Sequence, residues 1–66
     1  MDNRKKALET EMYLREVSRK DLCDLLGITY QALYAKIIGV TQFKCDEMFK
    51  IKERLGTDKT LEELFS

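Results

Sequence analysis

The chain has 66 residues, 44% of them hydrophobic, and this length predicts a single domain with a small core. Twelve Lys and Arg balance twelve Asp and Glu, and there is no His, so the formal net charge is zero. Because domains dedicated to nucleic acid are more often basic, the overall charge weighs mildly against such a role. Basic residues nevertheless outnumber acidic ones in 1–20, which allows a locally positive face.

The composition also argues against several classes of protein. No apolar run is long enough for a signal peptide or a membrane span, so we expect a soluble, cytoplasmic protein with reduced thiols. Cys23 and Cys45 form no CxxC motif and cannot complete a four-ligand zinc site without His, so we expect no metal, cofactor or small-molecule ligand. The sequence has no nucleophile beside a base and no glycine-rich phosphate loop, so we do not expect an enzyme.

Glycines divide the chain into helices. Proline is absent and only Gly27, Gly39 and Gly56 interrupt the sequence, which predicts an all-α fold with tight turns. The first helix is predicted to begin after Asp2 or Asn3 as cap and to run to about residue 16.

The second and third helices are predicted to be short and well capped. Ser18 and Asp21 form an acidic variant of the capping box that opens the second helix, and Gly27 ends it. Thr29 is predicted to cap the third helix, at about 30–37. The outward positions of this helix are Tyr30, Gln31, Tyr34, Ala35 and Ile38.

Two further helices are predicted after Gly39. The fourth is expected at about 45–55 and ends at Gly56. Thr60 and Glu63 form a second capping box that opens a last helical turn. Helical periodicity predicts that the core contains Leu8, Leu22, Leu33, Met48, Ile51 and Leu55.

Residues 18–37 read SRKDLCDLLGITYQALYAKI and predict a helix-turn-helix. The turn lies at Gly27, where a left-handed backbone conformation is easily adopted. The small side chain of Cys23 allows the two helices to cross closely. The apolar anchors of the motif are Leu22, Ile28 and Leu33.

With this motif, the chain resembles the helix-turn-helix family of phage repressors and Cro proteins, in the small stand-alone form found among bacterial and mobile-element regulators. KIIGVTQF at 36–43 is similar to the family's usual Lys-Ile-Asn-Gly, polar loop and Phe, and TLEELF at 60–65 is similar to its usual ending. The resemblance implies a compact five-helix, lambda-repressor-like domain over residues 1–66. It also implies a homodimer that reads double-stranded DNA with its third helix, at about 30–37.

The resemblance assigns candidate contacts residue by residue. Tyr30 and Gln31 fall where the family meets base edges, and Tyr34 can reach the DNA one turn later. Gln31 is the best single candidate, because a side-chain amide can both donate to and accept from the edge of adenine. The expected phosphate contacts are Arg19, Thr29, Lys36, Gly39, Thr41, Gln42 and Lys44.

The sequence departs from the family pattern in two places. Many members pair an Arg in the first helix with a Glu near the end of the third, and these positions are Met12 and Ile37 here. Because both partners have become apolar, we expect the two side chains to touch. In the loop, Ile38 replaces the usual Asn and Val40 replaces a frequent Lys, so we expect weaker phosphate anchoring and an apolar contact between two copies.

Two functions remain in competition. The first is a sequence-specific transcriptional regulator, a repressor acting as a homodimer on a two-fold operator; it would work by occupancy, since no effector domain is expected after residue 66. The second is a helix-turn-helix fold used as a protein-binding module, such as an antirepressor or antitoxin-like partner. The zero net charge and the outward stripe of Tyr30, Tyr34 and Ile38 favour this alternative.

Overall fold

The computed structural model describes residues 5–65, and in this range the chain is all-helical. The helices are α1 (Lys6–Leu14), α2 (Arg19–Leu26), α3 (Tyr30–Ile37), α4 (Cys45–Leu55) and α5 (Leu61–Phe65). Their packing is compact, with a Cα radius of gyration of 10.6 Å. The predicted all-α class is therefore confirmed. Among the described residues, no helix has the length and apolar character needed to cross a membrane.

The start of α1 differs from the prediction. The helix begins at Lys6 and its N-cap residue is Lys5, whose side chain makes no capping hydrogen bond. The predicted caps, Asp2 and Asn3, lie outside the described residues. The Lys5 N–H instead donates to the carbonyl oxygen of Ile37 at 2.8 Å. The start of α1 is thus tied to the end of α3.

The end of α1 also comes earlier than predicted, because Glu16 leaves the helical conformation with a φ of 56°. The Glu16 N–H donates to the Tyr13 carbonyl at 3.2 Å, and the Val17 N–H donates to the Met12 carbonyl at 2.9 Å. These two bonds form a Schellman motif, which satisfies carbonyl groups that the helix end leaves open. A glutamate therefore occupies the left-handed position that glycine usually fills.

The caps of α2 and α3 agree with the sequence prediction. The Ser18 hydroxyl accepts from the Asp21 N–H at 3.1 Å, and the Asp21 carboxylate accepts from the Ser18 N–H at 2.9 Å. Gly27 ends α2 in the left-handed conformation, with a φ of 67°. The Thr29 hydroxyl then accepts from the Ala32 N–H at 3.1 Å. Local capping therefore fixes where both helices begin and where α2 ends.

The last two helices are also placed as predicted. Gly56 ends α4 with a φ of 66°. The Glu63 carboxylate accepts from the Thr60 N–H at 2.9 Å, and the Thr60 hydroxyl accepts from the Glu63 N–H at 3.1 Å. This second capping box turns α5 back toward α1 and α4, with which it packs.

One apolar cluster forms the core. Of the six predicted core residues, Met48 is only partly buried and packs against the cluster, whereas the other five are buried. Met12 and Ile37, at 5% and 0% exposure, belong to this cluster, so neither turns to solvent. The buried members are Leu8, Met12, Val17, Leu22, Leu33, Ile37, Phe43, Ile51, Leu55 and Leu64.

A buried polar contact, which the sequence does not reveal, joins α1 to the turn after α4. The Glu11 carboxylate is buried and accepts from the Thr57 hydroxyl at 2.6 Å. Arg15 lies 3.6 Å from the same carboxylate and donates to the Gly56 carbonyl at 3.2 Å. Because an unpaired buried carboxylate is costly, these partners are what make the position of Glu11 tolerable.

Candidate nucleic-acid interface

Helix α3 presents one of its faces to solvent. The helix is anchored in the core by Leu33 and Ile37, both fully buried. Tyr30 and Tyr34 are 54% and 43% exposed, and Gln31 is exposed beside them. The three residues predicted to contact bases therefore share this face. We call the set Tyr30, Gln31 and Tyr34 the α3 face.

Arg19, the first residue of α2, lies at the edge of the α3 face. A hydrogen bond with the Tyr30 hydroxyl is the main cause that raises the pKa of Arg19, and the nearby Glu9 carboxylate acts in the same direction. The Arg19 Nη2 lies 3.8 Å from Glu9 Oε2 on α1. The two side chains keep 34% and 30% of their surface exposed. The predicted phosphate ligand is therefore accessible, but it already has an anionic neighbour.

Lys36 is engaged in contacts within the protein. Its Nζ donates to the Gln42 carbonyl at 3.1 Å and to Glu47 Oε1 at 3.0 Å, and only 12% of its side chain is exposed. The ammonium also lies 5.8 Å from the centroid of the Phe43 ring. It joins the end of α3 to the start of α4, so the predicted phosphate contact of Lys36, which stays a prediction, would compete with these internal bonds.

Glu47 is the anionic half of this ion pair. Burial acts to raise the pKa of Glu47, but the Lys44 N–H and the Lys36 ammonium outweigh it and leave that pKa below its usual value. The Lys44 N–H donates to Glu47 Oε1 at 2.8 Å. One carboxylate thus caps the first turn of α4 and holds Lys36 in place.

The Gly39 amide is also used within the protein. Gly39 has a φ of 89°, and its N–H donates to the Lys36 carbonyl at 3.3 Å. The N–H groups of Val40 and Thr41 both donate to the Ala35 carbonyl, at 2.9 and 3.2 Å. These bonds satisfy the last carbonyl groups of α3, so the predicted phosphate contact of the Gly39 amide, which stays a prediction, would have to replace an internal bond.

The other predicted contacts are distributed around α3. Thr29 is exposed at its start, although its hydroxyl caps the helix. The loop before α4 exposes Thr41, Gln42 and Lys44. Of the two apolar loop residues, Val40 is 73% exposed, whereas Ile38 is partly buried. Arg19 and Lys44 are the predicted phosphate ligands that keep an accessible positive charge.

Sequence reasoning missed both carboxylates that bear on the predicted cations. Glu47 follows Lys44 by three positions, which is the spacing of a capping box, and this signal could have revealed its role. Glu9 has no such signal, because Arg19 lies on another helix and the approach of the two side chains depends on the tertiary fold.

Comparison with known proteins places the chain in no family: no family model, curated protein or solved structure matches it. The chemistry of the α3 face and its surroundings is therefore the basis for proposing a function. This surface combines an amide, two phenol groups and a nearby guanidinium, and so offers both hydrogen-bonding and apolar contacts.

Proposed function

We propose that the chain is a sequence-specific DNA-binding regulator of the phage repressor and Cro type, in which α2, the turn at Gly27 and α3 form the helix-turn-helix. The observation that carries this proposal is the α3 face, which exposes Tyr30, Gln31 and Tyr34 from a capped helix whose other side is anchored in the core. An α-helix fits the major groove, which is about 12 Å wide. Helix α3 is thus the reading helix.

Base reading is assigned to the α3 face. The Gln31 amide can bond adenine N6 and N7 together, and one such pair discriminates against a wrong base by about 1–3 kcal/mol. Tyr34 offers its ring to a thymine methyl and its hydroxyl to a base or phosphate. Tyr30 offers the same groups one turn earlier, beside Arg19, whose pKa it raises.

Phosphate anchoring is assigned to the residues around the α3 face. Arg19 and Lys44 supply charge, while Thr29, Thr41 and Gln42 supply neutral hydrogen bonds. Each neutralised phosphate contributes about 0.9 to the slope of log affinity against log salt concentration. With so few open cations, we expect one copy to bind weakly and with a shallow salt dependence.

Pairing would compensate for weak anchoring. In this proposal two copies bind a two-fold site whose half-sites lie about one helical turn apart, and they repress by occupying it. The exposed Val40 and its neighbour Ile38 supply the apolar contact between the copies.

A titration of labelled DNA from the region upstream of the chain's own gene, at two salt concentrations, tests the proposal. We expect binding that weakens as salt rises and that Arg19→Ala weakens further. Arg54→Ala is the matched control, since Arg54 is an exposed arginine on α4 whose nearest acid, Asp21, is 3.9 Å away. An affinity that does not change with salt concentration, or no binding to any duplex, would reject the proposal.

The α3 face also favours a second candidate function, a module that binds another protein. Two half-exposed tyrosines lie one turn apart on it, and the only basic residue of α3, Lys36, is engaged internally. A stoichiometric, identified protein partner that is lost on Tyr34→Ala, together with failure to bind DNA, would favour this function over the first.

A further inference from the structure

We propose that Glu9 competes with DNA phosphate for Arg19 and so limits how strongly the start of α2 anchors to the DNA backbone. This inference rests on the proposed DNA-binding function and adds to it a residue on α1, outside the helix-turn-helix. When no DNA is bound, the Glu9 carboxylate pairs with Arg19 in place of a phosphate group.

The structure places an anion beside the predicted phosphate ligand, Arg19. Glu9 Oε2 lies 3.8 Å from Arg19 Nη2, close enough for an ion pair but longer than a tight hydrogen bond. Arg19 is the first residue of α2, and its side chain is partly exposed. A guanidinium has five N–H donors, so the contact with Glu9 leaves others that can bind a phosphate oxygen.

The ion pair between Arg19 and Glu9 is partly exposed, so it can break when DNA binds. About one third of each side chain is exposed, 34% for Arg19 and 30% for Glu9, so water can replace the pairing on either side. A phosphate that approaches Arg19 meets the negative charge of Glu9 close by. DNA must therefore either displace the carboxylate or bind against its repulsion.

The expected effect is modest, because exposed ion pairs are weak. Breaking one corresponds to about a two- to fivefold change in Kd. Phosphate contacts carry no base information, so the change should be the same on any duplex. Salt screens the competition, so the change should shrink as ionic strength rises.

The test measures the Kd of the full chain for a mixed-sequence duplex about two helical turns long, at low and high salt. We expect Glu9→Gln to tighten binding about two- to fivefold at low salt. Glu62→Gln is the matched control, because it removes the same charge from an exposed position on α5, a helix that packs against α1 and α4. It should change the Kd little.

A double-mutant cycle separates competition from a general charge effect. In an Arg19→Gln background, adding Glu9→Gln should change the Kd no more than Glu62→Gln does. Glu9→Asp, which keeps the charge but shortens its reach, should give a smaller gain of the same sign. It also provides a readout if Glu9→Gln does not fold.

Each alternative result has a distinct meaning. Weaker binding by Glu9→Gln would show that Glu9 positions Arg19 for DNA, which overturns the inference. If Glu9→Gln tightened binding equally in the unmodified chain and in the Arg19→Gln background, the effect would come from overall charge. That result also overturns the inference. Failure of the unmodified chain to bind any duplex rejects the proposed function itself, and that result is visible before any variant is compared.

Discussion

Glu16 occupies a backbone conformation that suits glycine. Its φ of 56° lies in the left-handed region, and the other described residues with positive φ are Gly27, Gly39 and Gly56. For a residue with a Cβ, this conformation is less stable than the right-handed helical one by about 1–2 kcal/mol. The carboxylate also lies just past the C-terminal end of α1, where the helix dipole disfavours negative charge. Glu16 therefore destabilises the fold locally, at the junction of α1 and α2.

Glu16→Gly should therefore stabilise the protein. We expect a gain of about 0.5–1 kcal/mol, because relief of the left-handed strain exceeds the extra freedom that glycine gives the unfolded chain. Urea unfolding with an unchanged m-value would measure the gain.

The matched control makes the same chemical change inside a helix. Glu53 is exposed within α4, and Glu53→Gly should destabilise the protein by about 1 kcal/mol. If Glu16→Gly lowered the free energy of unfolding as Glu53→Gly does, the strain attributed to Glu16 would be absent.

At the scale of helices, the pair of Lys36 and Glu47 joins α3 to α4. Both side chains are 12% exposed and their charged atoms lie 3.0 Å apart. The pKa of Glu47 lies below the ordinary 4.5. A carboxyl group of lowered pKa stabilises the fold above its unfolded pKa, and that contribution is lost as pH falls through the folded value. The junction should therefore weaken in acid.

Glu47→Gln should destabilise the protein at neutral pH by about 1–3 kcal/mol, because it leaves the Lys36 ammonium without its anion. The difference from the unmodified chain should narrow as the pH falls through the lowered pKa of Glu47, because the carboxyl group then takes up a proton in the unmodified chain as well. Urea unfolding at neutral pH and at the most acidic pH at which the chain stays folded measures the difference. Glu53→Gln, at an exposed position, is the control and should show little difference at either pH. A difference for Glu47→Gln that stays constant with pH would contradict this reading of the pair.

The helices themselves were largely predictable from the sequence, because local signals such as Ser18, Thr29 and Gly27 set their ends. What could not be predicted depends on contacts between distant parts of the chain. The ion pair of Lys36 is one example, because Glu47 lies eleven residues further along the chain on another helix. The end of α1 was missed because a left-handed glutamate is rare enough that no pattern rule anticipates it.

At the scale of the whole molecule, several cations are already engaged within the protein. Lys36 is paired with Glu47, Arg15 is bonded to Glu11 and to a carbonyl, and Arg19 shares its charge with Glu9. A single copy would therefore be a weak DNA ligand. Two copies on one site add their contacts, and this makes pairing central to the proposed function.

Changing Ile38 to Asn and Val40 to Lys together should weaken self-association and leave, or raise, the affinity of one copy for DNA. The apolar contact is lost while a phosphate-binding charge is gained. Sedimentation measures the association and a half-site duplex measures the affinity. Phe49→Asn, at a 57% exposed position on α4, is the control and should not alter association. An unchanged oligomeric state in the double variant would contradict the pairing contact.

Selection of bound sequences from a pool of random duplex DNA tests the central claim most directly. The account predicts enrichment of an inverted repeat whose halves are centred about one helical turn apart. It further predicts that Gln31→Ala relaxes the preference at one adenine in each half. A pool that shows no sequence preference, at salt concentrations where the chain binds DNA, would contradict it.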